Sequence, residues 1–334
     1  MRFVVFGAGA VGGVIGGRLA EAGHDVVLIA RGEHGAAIRE HGLTIESPAG
    51  VSTVKVACVQ RPGDLAFRAD DVVILGMKTQ DTAAALDDLL EAAGDEVRII
   101  SAQNGVENER IALRRFAQVY GMPVRLPATH LEPGVVQADS TPVSGVLDIG
   151  RYPEGVDDTC TAVCAALESS TFSSRPEPRV MRHKYNKLLG MNLSNALQVI
   201  VGDEAASAGE LMRRARAEAA ACYAAAGIDC ASEEEDRARR GNLITIGPIK
   251  GRRRGGGSTW QSLARGKRVL EVDFLNGEIV MLGRLWGVAT PVNHALQQVA
   301  NRMAREGEAP GAMTLRDFES EVTGLAAGDT RGSY

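Results

Sequence analysis

Long apolar runs, a secretory leader and excess positive charge are all missing from this 334-residue sequence. No apolar run reaches the roughly 20 residues that a membrane-spanning helix needs, so no membrane span is predicted. The N-terminus does not have the pattern of a signal peptide either, because its apolar residues run straight into a glycine-rich turn. With 37 basic and 42 acidic residues the net charge is −5, which argues against nucleic acid as a partner. We therefore predict a cytoplasmic globular protein whose basic sites serve a small anionic cofactor or substrate.

Cysteine is present, but not in any pattern that would do chemistry. The five cysteines are scattered, with no C-x-x-C pair and no histidine at the spacing of metal ligands. We therefore predict reduced thiols in a cytoplasmic protein, and no metal site.

Lysine is rare, since only six of the 37 basic residues are lysines: Lys55, Lys78, Lys184, Lys187, Lys250 and Lys267. Arginine keeps its proton near neutral pH, whereas a desolvated lysine can release it. A general acid should therefore come from these lysines, from the few histidines or from a carboxyl group. His130, His183 and His294 have no paired carboxylate at a recognisable spacing, and we interpret them as structural or surface residues.

The first half of the chain alternates short apolar runs with segments of helical periodicity. Predicted strands cover 2–6, 25–30, 71–77 and 97–102, and predicted helices cover 11–22, 81–93 and 108–116. Continuous apolar strands separated by helices are typical of a parallel sheet covered on both faces. The sequence thus predicts an α/β protein with an N-terminal Rossmann-type doubly wound sheet, which the turn-rich stretch 124–149 extends.

The second half has mainly helical periodicity, with predicted helices over 179–201, 208–226, 270–285 and 291–305. Two prolines, Pro176 and Pro178, interrupt regular structure between the halves. We predict a nucleotide-binding domain over 1–175 and an all-helical substrate and catalytic domain over 179–330, with the active site between them. The basic run Arg252–Arg254 is interpreted as a solvated connection or as a mobile lid.

A dinucleotide-binding fingerprint follows the first predicted strand and opens the first predicted helix. It has the form G-x-G-x-x-G and comprises Gly7, Ala8, Gly9, Ala10, Val11 and Gly12. The first glycine permits a tight turn, the second lets the backbone approach a pyrophosphate, and the third lets helix and strand pack closely. The helix N-terminus then offers unpaired N–H groups to the phosphates.

Arg31 follows the second predicted strand, at the position that selects between NAD and NADP. An acidic residue there would bind the ribose 2′-hydroxyl, whereas a guanidinium suits a 2′-phosphate. The sequence therefore favours NADP, used as NADPH. Lys78 and Asn104 follow the next two strands of the sheet and should project toward the bound dinucleotide.

Taken together, several segments resemble the ketopantoate reductase (2-dehydropantoate 2-reductase) family over nearly the whole chain. These are GAGAVGG at residue 7, IAR at 29, MKTQ at 77, QNG at 103, KLL at 187, LEVDFLNGEIVMLGR at 270 and GVATPVN at 287. The resemblance implies NADPH-dependent reduction of a 2-keto acid, with ketopantoate reduced to pantoate in pantothenate biosynthesis. The E-x-D-x-x-N-G segment from Glu271 to Gly277 is the most specific part.

The resemblance also implies roles for particular residues. Lys187 would be the general acid, and Glu271 would lie near the nicotinamide ribose and the reacting groups, as a catalytic and cofactor-binding residue. Lys78 and Asn104 would bind NADP. Asn195, Ser258 and Thr259, together with Lys187, would bind substrate.

One position departs from the family pattern, which usually has an asparagine four residues after the lysine. This chain has Met191 there, and Asn192 comes one residue later. One residue rotates a side chain by about 100° along a helix. Unless the helix is locally distorted, Asn192 should therefore point elsewhere and a substrate hydrogen bond should be lost.

Other interpretations stay open at this stage. A β-hydroxyacid or opine dehydrogenase would also join a Rossmann domain to helices, although the E-x-D-x-x-N-G segment argues against both. A non-catalytic NADPH-binding sensor would need Arg31 and the glycines, but not Lys187 together with Glu271. The sequence leaves open the true substrate, the stereochemistry of the product and the oligomeric state, with a homodimer as one option.

Overall fold

A computed structural model describes residues 1–250 and 256–329, with side chains to residue 325. Its strands are β1 (Arg2–Phe6), β2 (Val26–Ile29), β3 (Leu43–Ser47), β4 (Gly50–Val54), β5 (Ala57–Val59), β6 (Asp71–Leu75), β7 (Arg98–Ser101), β8 (Val119–Gly121), β9 (Ala128–Thr129), β10 (Val135–Ala138), β11 (Ser140–Pro142), β12 (Gly145–Val146), β13 (Gly150–Arg151), β14 (Phe172–Ser173) and β15 (Ile244–Ile246). Its helices are α1 (Ala10–Glu21), α2 (Gly32–His41), α3 (Thr79–Ala93), α4 (Asn108–Leu113), α5 (Asp158–Glu168), α6 (Val180–Lys187), α7 (Ser194–Val201), α8 (Gly209–Ala225), α9 (Glu233–Arg240), α10 (Ser258–Ala264), α11 (Asn276–Trp286), α12 (Pro291–Glu306) and α13 (Leu315–Asp329). The basic run Arg252–Arg254 lies outside the described residues, and no described helix is long and apolar enough to cross a membrane.

The principal sheet has seven strands in the order β13-β8-β7-β6-β1-β2-β5, all parallel except β13, which is antiparallel to β8. Alternate residues of its strands enter two separate cores. Phe3 and Val5 join one core with residues of α1, while Val4 and Phe6 join the other with residues of α3 and α4. Apolar side chains on both faces explain why the strands appear as continuous apolar runs in the sequence. The predicted doubly wound sheet is confirmed.

The prediction that 124–149 extends this sheet is wrong. Within that stretch β9 and β10 join the hairpin β3–β4 in a second, four-stranded sheet of order β4-β3-β10-β9. β11 and β12 form two small separate pairs, with β15 and β14 respectively. The exposure of β10 alternates along the strand, as in a sheet buried on one face only, and prolines interrupt the stretch. The principal sheet is extended instead by β8 and β13, which flank the stretch.

The chain divides into two compact units, each made of two segments. The first comprises Met1–Lys184 and the described residues of Ser232–Arg254, and the second comprises Tyr185–Ala231 and the described residues of Gly255–Tyr334. The described part of the second unit contains helices and turns but no strand.

This division differs from the predicted domains 1–175 and 179–330, because part of the second half returns to the first unit. β15 pairs antiparallel with β11. In addition, the guanidinium of Arg239, on α9, donates to both carboxylate oxygens of buried Asp148 at 2.8 and 2.7 Å. These long-range contacts have no local signal in the sequence.

Candidate active site

The glycine-rich turn Gly7–Gly9 joins β1 to α1 at the point where the order of the principal sheet reverses. β1 lies between β2 and β6, so the chain leaves β1 toward one side and later returns to its other side. Gly7 has φ +93°, and a Cβ there would lie 2.7 Å from the Met77 amide nitrogen. A Cβ at Gly12 would lie 2.3 Å from the Gly7 carbonyl oxygen. Glycine is therefore required at both positions by the fold itself.

Gly9 is different, because the fold does not require glycine there. A Cβ on Gly9 would meet no atom of the described chain within 4 Å. The residue precedes α1, whose first N–H groups have no acceptor within the helix. Open space above a glycine at a helix N-terminus fits a dinucleotide pyrophosphate, which needs close backbone approach and N–H donors.

Arg31 lies two residues beyond β2, immediately before α2, and its side chain is exposed. Its guanidinium forms no ion pair or hydrogen bond with any residue that the structure describes. The group is thus available to an external anion at the end of β2, where the adenosine ribose of a dinucleotide would lie.

Lys78 and Asn104 are half-buried and follow the adjacent strands β6 and β7. A buried network of amide and hydroxyl groups joins the two loops. The Gln103 amide donates to the Met77 carbonyl at 3.0 Å, and the Asn108 amide donates to the Asn104 carbonyl at 3.0 Å. The sequence analysis missed Gln103 and Asn108, although QNG followed by a further asparagine is a visible signal.

Lys187 is the last residue of α6, and its side chain is buried, with 9% exposure. The helix does not continue regularly, because residues Leu188–Asn192 form a π-helical turn in which the Leu193 N–H donates to the Leu188 carbonyl at 3.2 Å. A π turn accommodates one more residue than an α turn. The position five residues after Lys187 therefore takes the place that the fourth would occupy in a regular helix.

The helix is therefore locally distorted, which is the condition under which Asn192 was not expected to point elsewhere. Met191 is 51% exposed, whereas Asn192 is 4% exposed. The Asn192 Oδ1 atom is buried and has no hydrogen-bond partner among the described residues. A buried acceptor without a partner is unfavourable by about 1–3 kcal/mol, so it is suited to a ligand donor.

Asn195 and the segment of Ser258 and Thr259 come together in the second unit. The Gly257 N–H, at the start of α10, donates to the Gln198 Oε1 atom on α7 at 2.9 Å. A Cβ on Gly257 would lie 3.4 Å from the Asn195 Oδ1 atom. Thr259 is 1% exposed, and its Oγ1 atom has no partner in the described part of the chain. Three buried polar atoms of this unit thus lack a hydrogen-bond partner among the described residues: Asn192 Oδ1, Thr259 Oγ1 and Asn276 Oδ1.

Glu271 is buried, with 2% exposure, and it begins a 3₁₀ turn, Glu271–Phe274. The single helix predicted over 270–285 is therefore interrupted before α11 begins at Asn276. The Asn276 amide donates to the Leu193 carbonyl at 3.2 Å, which ties this segment to the residue that follows the π turn. Asp273 accepts from the amides of Gln297 and Asn301 at 2.8 and 2.7 Å. Asp273 and Asn276 thus anchor the segment that begins at Glu271.

Lys184 precedes Lys187 by three residues but has a different environment. Its ammonium group is buried in an ion pair with the Glu109 carboxylate, and Nζ also lies 3.5 Å from the Ser101 hydroxyl oxygen. The side chains of Lys184 and Glu109 are 2% and 0% exposed. A fully buried and paired lysine cannot reach a substrate, so Lys184 has a structural role.

Comparisons with known proteins cover both halves of the chain. The family model of ketopantoate reductase PanE/ApbA matches residues 3–154, and that of its C-terminal part matches residues 179–304. The 2-dehydropantoate 2-reductase of Pyrococcus horikoshii is 29% identical over 302 residues, spanning 89% of this chain and 95% of the relative. That of Halobacterium salinarum is 28% identical over 316 residues, spanning 92% and 100%.

Solved structures agree with these matches. A PanE/ApbA family ketopantoate reductase from Ralstonia eutropha has a TM-score of 0.75 and 28% identity, covering 92% of this chain and 99% of its own. D-mandelate dehydrogenase in complex with NADH and anilino(oxo)acetate has a TM-score of 0.77 at 21% identity, with the same coverage. The latter likeness shows the fold alone.

Proposed function

This chain belongs to the ketopantoate reductase family, PanE/ApbA, and we propose that it reduces 2-dehydropantoate, or a close 2-keto acid analogue, to the 2-hydroxy acid with NADPH. The observation that carries the proposal is the π-helical turn after Lys187, which sets a buried asparagine with an unpartnered oxygen one turn beyond the lysine. Together the lysine and the asparagine would supply a proton donor and a polar contact for one small substrate.

The first unit would hold the cofactor. We assign the pyrophosphate to the turn Gly7–Gly12, the 2′-phosphate to Arg31, and contacts with the rest of the dinucleotide to Lys78 and Asn104. Open space over Gly9 and the unpaired guanidinium of Arg31 support this assignment. The bound nicotinamide supplies the hydride for the reaction.

The second unit would hold the substrate and move the proton. As hydride reaches the carbonyl carbon, the carbonyl oxygen gains negative charge, and the Lys187 ammonium stabilises that charge and donates a proton to the oxygen. The lysine then regains a proton from solvent. We assign Glu271 to the nicotinamide ribose and the reacting groups, and Asn192, Asn195, Ser258 and Thr259 to the polar groups of the substrate.

A direct test measures NADPH consumption with ketopantoate and a panel of 2-keto acids. The panel includes a 3-keto acid, and a 2-keto acid offered together with an amino acid. Turnover of ketopantoate or a close analogue supports the proposal. Turnover of only the 3-keto acid would instead indicate a β-hydroxyacid dehydrogenase. Turnover that requires the amino acid would indicate an opine dehydrogenase, and NADPH binding without any turnover would indicate a sensor.

Arg31 should determine the choice of cofactor. We expect NADPH to bind at least about tenfold more tightly than NADH, since a charged hydrogen bond contributes about 1.5–3 kcal/mol. Arg31→Ala should reduce this ratio toward one, mostly by weakening NADPH, as measured by titration of each cofactor. Arg61→Ala, at another exposed arginine of the first unit, is the control and should leave the ratio unchanged. Equal affinities in the unmutated protein would contradict the assignment.

Asn192 should distinguish ketopantoate from keto acids without its 4-hydroxyl group. The unpartnered Oδ1 atom can accept a hydrogen bond from that hydroxyl, and a buried polar group left unpaired rejects the smaller analogue. We expect Asn192→Ala to lower kcat/KM for ketopantoate by about 10–100-fold, since one buried hydrogen bond is lost. The value for 3-methyl-2-oxobutanoate, which lacks the hydroxyl, should change much less.

The matched control is Met191→Ala, at the neighbouring exposed position, which should change neither value. Equal losses for the two substrates in Asn192→Ala would show that the asparagine does not read the hydroxyl group.

We further propose a cytoplasmic location. All five cysteines are free thiols, which supports this proposal. A homodimer stays a proposal that a measurement of molar mass in solution would test.

A further inference from the structure

His34 connects three parts of the first unit through its two ring nitrogens. It lies in the first turn of α2, and its Nε2 atom is 2.7 Å from the Ala8 carbonyl oxygen. The Gly134 N–H donates to the Nδ1 atom at 2.9 Å. Because a backbone N–H can only donate, Nδ1 must be the unprotonated nitrogen, so Nε2 carries the proton and donates to Ala8. One neutral tautomer satisfies both contacts.

The surroundings of His34 keep it neutral. The ring of His130 lies 4.1 Å away, measured between ring centroids and tilted by 51°. Burial, together with repulsion from His130, lowers the pKa of His34 to about 4. The imidazole is therefore neutral at neutral pH, and the Gly134 N–H holds it as the tautomer with its proton on Nε2.

The contact with Ala8 fixes a neighbouring donor. The Ala8 carbonyl and the Gly9 N–H belong to the same peptide group, which is planar and trans, so they point in opposite directions. Holding the carbonyl toward His34 therefore turns the Gly9 N–H away from α2. A Cβ on Gly9 would moreover meet no described atom within 4 Å, so space is open beside this N–H.

The Gly134 end of the connection that His34 makes is held in place by close packing. Gly134 precedes β10, and β10 packs closely on α1, since a Cβ on Gly13 would lie 2.7 Å from the Val136 Cγ1 atom. The histidine thus links the turn before α1 to a strand that packs against the same helix.

We propose that His34 is a positioning residue that presets the Gly9 amide as a donor to the cofactor pyrophosphate. The inference rests on the proposed NADPH binding and deepens it, because neither the glycine fingerprint nor Arg31 accounts for the orientation of this peptide. It concerns binding and not proton transfer, so its effect should appear in cofactor affinity and KM, with kcat at saturating NADPH little changed.

Variants of His34 separate the two nitrogens. His34→Ala removes both contacts and should weaken NADPH about tenfold, the effect of one hydrogen bond of about 1.4 kcal/mol. His34→Gln places an amide N–H near the former Nε2 position and should restore most of the affinity. His34→Asn is too short to reach Ala8 and should behave like alanine. His41→Ala, an exposed position on α2, is the control and should bind like the unmutated protein.

The experiment titrates NADPH, ADP and 2′-AMP into each variant, with melting temperatures recorded alongside. Loss of affinity for NADPH and ADP, but not for 2′-AMP, supports the inference because 2′-AMP has no pyrophosphate. An equal loss for 2′-AMP, or failure of glutamine to restore binding in a folded variant, would overturn it. Unchanged NADPH affinity in His34→Ala would overturn the role of His34 but leave the proposed function intact. If the unmutated protein did not bind NADPH, both the role of His34 and the proposed function would be overturned.

Discussion

Replacing Lys187 by alanine is expected to lower kcat by about 10²–10⁴, the typical contribution of a positioned general acid. The affinity for NADPH should stay within about twofold, because the proposed cofactor contacts at Gly7–Gly12 and Arg31 belong to the first unit, and Lys187 to the second. The measurement is single-turnover NADPH oxidation at saturating keto acid, with cofactor titration in parallel. The side chain is buried at the end of α6, so the variant also needs a melting curve to establish that it is folded.

The role of Lys187 can be separated from its charge. Lys187→Arg keeps the positive charge but does not readily release a proton, so it should recover only part of the lost rate. Lys267→Ala, at an exposed lysine of the same unit, is the control and should retain full activity. If folded Lys187→Ala kept more than about a tenth of kcat, the proton would have to come from another group.

Replacing Lys184 by alanine should affect stability instead of catalysis. The change leaves the Glu109 carboxylate buried without its partner, which typically destabilises a protein by about 3–5 kcal/mol. For a unit of this size, that corresponds to a fall in Tm of roughly 6–20 °C. Thermal unfolding of the variant tests this, and kcat of the fraction that remains folded at low temperature should be close to normal.

A second variant distinguishes loss of a partner from loss of a favourable pair. In Lys184→Met combined with Glu109→Leu neither charge must be desolvated, so most of the stability should return. Arg213→Ala, which breaks an exposed pair with Glu210, is the control and should change the free energy of unfolding by less than about 1 kcal/mol. A stable Lys184→Ala protein with no turnover would reverse the roles assigned to the two lysines.

The parts of the site that the sequence predicted are those governed by local geometry. Gly7 and Gly12 could be identified because a strand, a tight turn and a helix must follow one another closely, and the contacts of both positions show how little space remains. Arg31 could be placed because the end of a predicted strand fixes its position. The neighbours that crowd Gly12 are close in sequence, whereas the Met77 amide that crowds Gly7 comes from a distant strand end.

The parts that the sequence did not predict depend on contacts between residues far apart in the chain, or on the one extra residue that a π turn adds to a helix. The π turn at Leu188–Asn192 adds one residue to a helical segment, and no motif in the sequence marks that addition, so the position of Asn192 followed only from the structure. His34 shows no motif, because its partners Ala8 and Gly134 lie far away along the chain. The pairing of β11 with β15 is equally non-local.

The order in which the chain is synthesised gives the two-segment first unit a further consequence. When the ribosome has completed 1–184, β11 still has no neighbour, and the buried carboxylate of Asp148 has no guanidinium opposite it. The helices of Tyr185–Ala231 must emerge first. Only then can β15 pair with β11 and Arg239 on α9 donate to Asp148. The first unit therefore cannot fold completely before part of the second unit has been synthesised. An early stop in translation leaves an unpaired strand and an uncompensated charge for chaperones or proteases to recognise.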